Sequence, residues 1–123
     1  MTIQSLDHVN LRTNRLDEMI QWYVDVLGLH VGKRPQFPFA GAWLYAGHRA
    51  FVHLIEVDGA PGAGSEGDLK LEHFAFSATD LDAFTSKLEA MNVKYSRTNL
   101  ADIGLVQINV WDPDGNHIHV DFT

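Results

Sequence analysis

The sequence predicts an α+β fold built from two tandem β-α-β-β-β modules. Three observations carry the prediction. Leu6-Asp7-His8-Val9-Asn10-Leu11 is echoed 65 positions later by Leu71-Glu72-His73-Phe74-Ala75-Phe76. Leu16-Asp17 and Leu81-Asp82 keep the same offset, inside stretches of helical periodicity. The strand-like runs Val52-His53-Leu54 and Ile118-His119-Val120 fall at nearly the same offset, 66 positions. Self-similarity at a fixed offset marks a duplicated supersecondary unit. The modules span 1–58 and 69–123 and are joined by a glycine-rich linker over 59–68, within one domain of 123 residues.

In the first module, Ile3 to Arg12 reads as a strand. Leu6, Val9 and Leu11 are apolar, while His8, Asn10 and Arg12 alternate with Val9 and Leu11. Leu16, Met19, Ile20, Tyr23 and Leu27 then fall at helical spacing, with Asn14 as the N-cap, Asp17 three residues on and Gly28 as the stop. Leu29 to Lys33 is a short strand, and Pro35 and Pro38 make Lys33 to Gly41 a loop. Ala42–Ala46 and Ala50–Val57 are strands joined at Gly47-His48-Arg49, a hairpin signal. The second module repeats the order. Leu69 to Ser77 is a strand, and Thr79 caps a helix with Leu81, Phe84, Leu88 and Met91 as its buried stripe, ended by Asn92. Strands follow over Val93–Arg97, Gly104–Trp111 and His117–Phe122, the last two joined by the strong turn Asp112-Pro113-Asp114-Gly115-Asn116. Each module is a small sheet with one helix on one face. Its other face needs cover, and the second copy is the natural partner.

Composition narrows the function classes. A net charge of -7 argues against nucleic acid, which needs a basic face, and against an anionic membrane surface. No apolar run approaches the roughly 20 residues of a membrane span, and the N-terminus lacks a signal-peptide pattern. The chain has no cysteine. That suits a cytoplasmic protein and leaves His, Asp and Glu as the ligands for any transition metal.

The histidines occupy matched places. With Val9 and Leu11, or Phe74 and Phe76, packed on the helix, His8 and His73 turn to the uncovered face. With Ile118 and Val120 buried, His117, His119 and Asp121 face the cavity. The equivalent parity in the first module turns Phe51, His53 and Ile55 inward, because His53 aligns with His119. An isolated strand histidine is more often an ordinary hydrogen-bonded residue, but four at matched positions form a candidate metal set: His8, His53, His73 and His119. Such a set suits Zn²⁺, Ni²⁺, Cu²⁺, Fe²⁺ or Co²⁺. Asn10, Arg12, Trp43, Tyr45, Phe51 and Asn109 are candidates to line the pocket. His30 and His48 read as surface residues. His117 reads as a solvated strand end or a partner of the ligand shell. The 59–67 stretch lacks the ending and context of a phosphate loop, and no nucleophile elbow is present.

Several motifs together resemble the vicinal oxygen chelate superfamily. They are Leu6-Asp7-His8-Val9, the helix end Trp22-Tyr23-Val24-Asp25-Val26-Leu27-Gly28-Leu29, Phe51-Val52-His53-Leu54-Ile55-Glu56, His73-Phe74-Ala75-Phe76, and Asp112-Pro113-Asp114-Gly115-Asn116-His117-Ile118-His119-Val120. That superfamily includes glyoxalase I, fosfomycin and bleomycin resistance proteins, extradiol dioxygenases and methylmalonyl-CoA epimerase. The resemblance covers the whole chain. It implies paired modules forming an open, metal-centred β-barrel, a divalent ion (Zn, Ni, Fe, Co or Mn) on His8, His53, His73 and His119, a small-molecule substrate with vicinal oxygens, and often a homodimer. The chain departs from the pattern at its close, where the family usually has D-P-D-G-N-x-I-E and this chain has His119. In glyoxalase I the module-closing carboxylates move the substrate proton, and extradiol dioxygenases use two histidines and a Glu. Here that role falls to His53 and His119, since imidazole titrates near neutral pH. The resemblance therefore implies lyase, isomerase or dioxygenase chemistry. The alternative is metal-free sequestration of a small aromatic ligand, as in the bleomycin resistance branch, with Trp43, Tyr45 and Phe51 stacking the ligand.

Overall fold

The computed structural model describes residues 1–62, 64 and 66–123. It divides into two compact units, Met1–Pro61 and Gly62–Thr123. The expected linker over 59–68 straddles that division. Ala63 and Ser65 of it lie outside the described residues, and Glu66–Asp68 forms one 3-10 turn.

The first unit runs β1 (Val9–Thr13), α1 (Leu16–Asp25), β2 (His30–Gly32), β3 (Gly41–Ala46) and β4 (Arg49–Glu56). Its sheet has the order β1-β4-β3-β2. β1 lies parallel to β4, with Val9 opposite Val52 and Asn10 opposite His53. β3 and β4 form the expected antiparallel hairpin. Helix α1 packs on β2, β3 and β4. Met19, Tyr23, Leu44, Val52 and Leu54 are essentially inaccessible there and make the core. Gly28 at φ +72° ends the helix, a backbone conformation that costs glycine little. The first strand starts later than the alternation predicts. Ile3 and Leu6 are exposed, and the ladder begins at Val9. Alternation measures suitability for a sheet, and pairing still needs a partner strand. The helix cap also differs. Arg15 stands at the N-cap without a side-chain cap, while the Asn14 amide donates to the Gly59 carbonyl at 2.9 Å.

The second unit repeats the order as β5 (His73–Ala78), α2 (Leu81–Ala90), β6 (Ser96–Leu100), β7 (Leu105–Trp111) and β8 (His117–Phe122). The sheet order is β5-β8-β7-β6, the same topology as in the first unit. Leu88, Ile108, Val110, Ile118, Val120 and Phe122 form its core, with Phe84 of α2 against Phe122. The N-cap of α2 is Asp80, one residue beyond the expected Thr79. Its carboxylate accepts from the Ala83 N–H at 3.1 Å. β5 starts at His73 rather than Leu69, leaving Leu71 exposed, and β6 starts at Ser96. Among the described residues, no helix is long and apolar enough to cross a membrane.

Candidate functional site

Strand parity places a histidine pair on the same face of each sheet, away from the helix. In the first unit Val52 and Leu54 are buried toward α1, so His53 points to the opposite face. Its ring stacks on His8 at 3.9 Å between centroids, with 11° between planes. Trp43 sits opposite His53 across the β3–β4 ladder and covers its other side at 4.0 Å and 12°. In the second unit His73 and His119 stack at 3.9 Å and 10°. The duplication is thus repeated in three dimensions, down to ring separation and tilt.

Each leading histidine is held by the residue before it. The Nδ1 of His8 lies 2.7 Å from an oxygen of Asp7, and the Nδ1 of His73 lies 3.2 Å from one of Glu72. An Nδ1–H donated to a carboxylate leaves the Nε2 lone pair for a ligand. His53 uses the other nitrogen, since its Nε2 lies 3.2 Å from the Ala50 carbonyl. Donation there leaves the lone pair on Nδ1. The Nδ1 of His119 is buried and has no hydrogen-bond partner among the described residues. His8 and His53 in the first unit and His73 in the second each have one nitrogen set as donor, and His119 has a buried nitrogen unpartnered, so within each unit the paired imidazoles are ligands of a type that fits a divalent metal.

The second unit adds a third imidazole. His73, His117 and His119 each offer a nitrogen within 4.8 Å of the other two. His117 takes the place that Phe51 holds in the first unit, stacks on Trp111, and has its Nε2 2.9 Å from the Asn109 side-chain oxygen. Its parity with His119 is readable from the sequence. Its inclusion in the cluster depends on the β7–β8 register, which sets Asn109 opposite His119 and Trp111 opposite His117.

A larger and a smaller cavity adjoin His53 in the first unit. The larger, about 470 Å³, is lined by Asp7, His8, Trp43, Tyr45, His48, Arg49, Ala50 and His53. The smaller, about 90 Å³, is bordered by Asn10, Trp43 and His53 and by the loop after β2. Of the expected lining residues, Trp43 borders both, Tyr45 the larger and Asn10 the smaller. Arg12 is exposed and Phe51 lies under the Arg49 guanidinium, and neither borders these cavities. Asn109 is buried beside His117.

Burial, and then the neighbouring His8 imidazole, hold the His53 pKa below its ordinary value of 6.5. Burial, and then His73 and His117, do the same for His119. The unfolded chain therefore binds protons at these sites before the folded chain does. Their contribution to stability is present above pH 6.5 and is lost as pH falls through the lowered folded values. The urea midpoint of the metal-free chain should drop between about pH 7.5 and about pH 5.5, and His53→Gln with His119→Gln should flatten that slope. A slope unchanged by the double substitution refutes this.

A family model described as the Glyoxalase/Bleomycin resistance protein/Dioxygenase superfamily matches residues 5–120. The chain belongs to this superfamily. Among its relatives, "Glyoxylase I 4" of Arabidopsis thaliana is 32% identical over 124 residues, covering 96% of this chain and 70% of the relative. "Biphenyl-2,3-diol 1,2-dioxygenase 3" of Rhodococcus globerulus is 30% identical, and the match covers 94% of this chain and 61% of that protein. Two solved structures share the superfamily fold. A glyoxylase/bleomycin resistance protein/dioxygenase domain from Frankia sp. EAN1pec has a TM-score of 0.81 at 20% identity, covering 98% of each chain. A lactoylglutathione lyase from Agrobacterium tumefaciens has a TM-score of 0.73 at 20% identity, covering 99% of this chain and 96% of that one.

Proposed function

We propose that this member of the superfamily is a divalent-metal-dependent enzyme acting on a small molecule with two adjacent oxygens, by lyase, isomerase or dioxygenase chemistry. We assign metal-ligand roles to His8 and His53 in the first unit and to His73 and His119 in the second. The observation that carries this reading is the recurrence of one stacked histidine pair, with its carboxylate-held leading ring, in both units. A divalent ion on such neutral ligands supplies Lewis-acid polarisation of a substrate oxygen. Asp7 and Glu72 fix the tautomers and ring orientations of His8 and His73. His53 and His119 stand where the superfamily pattern closes each module. Kept neutral by burial, they are the groups we assign to taking up a substrate proton, which each would accept on the nitrogen freed by leaving the ion. Trp43 and Tyr45 offer flat walls for the substrate. The name of one relative, a 2,3-diol dioxygenase, agrees with a substrate bearing neighbouring oxygens.

The test is elemental analysis of protein purified without added metal, followed by a screen of hemithioacetals of 2-oxoaldehydes and of catechols. About one ion per chain, and turnover that disappears with a chelator, is the expected result. A folded chain that takes up no Zn²⁺, Ni²⁺, Fe²⁺, Co²⁺ or Mn²⁺ yet binds a small aromatic tightly would overturn it in favour of sequestration.

A further inference from the structure

The loop between β2 and β3 holds a cation that the proposed chemistry does not use. Arg34 is half-buried, and its guanidinium carbon lies 4.9 Å from the centre of the Phe37 ring and 5.3 Å from that of Phe39. The two rings stack on each other at 5.1 Å and 9°. One guanidinium nitrogen donates to the Phe39 carbonyl at 3.0 Å. Gly41 makes room for this arrangement, because a Cβ there would approach Arg34 Nη2 to 2.9 Å and press on the Leu54 carbonyl. In a chain of net charge -7, no carboxylate among the described residues pairs with Arg34. A guanidinium carries five N–H donors in a planar fork. Among the described residues, the one bond to Phe39 is the hydrogen bond that occupies it.

That fork borders the smaller cavity with Asn10, Phe37, Phe39, Trp43 and His53. Its volume of about 90 Å³ is several times the roughly 10–15 Å³ needed by one water. We propose that Arg34 makes this cavity a carboxylate subsite, selecting planar ligands whose carboxylate meets the guanidinium while their flat body lies along Trp43. Aromatic faces pin the guanidinium, so little side-chain freedom is lost on binding, and Arg matches a carboxylate with paired N–H bonds. The Asn10 amide offers a further donor. The guanidinium balances a single negative charge, and the amide adds a neutral donor. Among the described residues no second cationic side chain borders the cavity, so for the metal-free chain a phosphate dianion is the poorer fit. The like charge of the rest of the chain is screened beyond about 8 Å at physiological salt. The inference rests on the enzyme reading only in placing this ligand beside the reacting centre at His53.

The experiment uses the full chain, both chelator-treated and metal-loaded, titrated with benzoate, its neutral isostere benzamide, and phenyl phosphate, with binding followed by NMR. In the metal-free protein benzoate should bind at least about tenfold more tightly than benzamide. Arg34→Gln should bring that ratio close to one, and Arg34→Lys should leave an intermediate ratio. Because the readout is a ratio, a loosened loop that weakens both ligands equally leaves it unchanged, and only loss of the charge contact moves it. Equal binding of benzoate and benzamide, no binding of either, an unchanged ratio in Arg34→Gln, or a tenfold preference for phenyl phosphate would each overturn the proposal. A chain that keeps the ratio but takes up no metal refutes the enzyme reading alone. A chain that binds metal without preferring benzoate refutes the subsite alone.

Discussion

His73→Ala should lower the affinity for Zn²⁺ by about 100-fold or more, and Glu72→Gln should lower it by about tenfold. The two effects have different origins. A four-ligand structural zinc site is worth about 10–16 kcal/mol near neutral pH. One ligand then accounts for about 3 kcal/mol, which is about 100-fold or more in affinity. Glu72 touches no metal in this scheme. Its oxygen holds the Nδ1 of His73, orients the ring and leaves the Nε2 lone pair for the ion. Partners of this kind are worth about 10–100-fold. The lower end applies here because the Glu72 side chain is 70% exposed and its 3.2 Å contact is long. The repeat makes the comparison internal. Asp7→Asn should reproduce the effect at His8, somewhat more strongly, because that contact is 2.7 Å. Competition against a chromophoric chelator measures the affinities. The visible spectrum of the Co²⁺ form reports whether the ligand set is intact in Glu72→Gln and lost in His73→Ala. Full affinity in His73→Ala would remove that residue from the metal site. Affinity unchanged in both Glu72→Gln and Asp7→Asn would leave the two carboxylates as surface residues.

The repeat is the reason so much of this can be read from the chain. The same spacing of apolar residues occurs twice, so β-α-β-β-β and the faces of His53 and His119 follow from parity that each copy checks in the other. What cannot be read is set by contacts distant in sequence. The starts of β1 and β5 depend on where β4 and β8 offer partners, so Leu6 and Leu71 look like strand residues yet stand exposed. The helix caps shift by one residue because Asn14 is drawn to the carbonyl of Gly59, 45 positions away, while Asp80 reaches the Ala83 N–H from a left-handed conformation at φ +68°. Parity puts His117 on the right face, but its neighbours Asn109 and Trp111 belong to another strand. Arg34 leaves no periodic signal at all, since its position depends on loop geometry and on the absence of a side chain at Gly41. Asp7 and Glu72 are visible as acidic residues preceding matched histidines. Their role lies in a hydrogen bond that spacing does not reveal.

Asp112→Ala should be among the most destabilising single changes in the chain, at about 3–5 kcal/mol, and it should reach the histidines without touching them. Asp112 is 4% exposed. One oxygen accepts from the backbone N–H groups of Asp114 and Asn116 at 3.0 and 2.9 Å, and the other accepts from the Asn116 amide at 2.9 Å. Around this carboxylate the backbone closes the turn, with Gly115 N–H donating to the Asp112 carbonyl at 2.9 Å and Gly115 at φ +88°. Alanine removes these three acceptor contacts and leaves the Asp114 and Asn116 N–H groups without the carboxylate that accepts from them. A buried donor left unsatisfied costs about 1–3 kcal/mol, and bonds to a charged acceptor are worth about 1.5–3 kcal/mol each. The turn joins β7 to β8 and fixes the register that sets Trp111 opposite His117 and Asn109 opposite His119. When it loosens, the His117–Asn109 bond and the stacking of His73 on His119 lose their frame. Asp112→Asn keeps an acceptor oxygen but loses the charge, so it should fall between Ala and the native residue. Urea unfolding of the three proteins gives the order, and the same samples titrated with Zn²⁺ show whether the register carries through to the histidines. A loss below about 1 kcal/mol in Asp112→Ala would mean that the backbone bonds of the turn and Gly115 suffice to hold β8 in place.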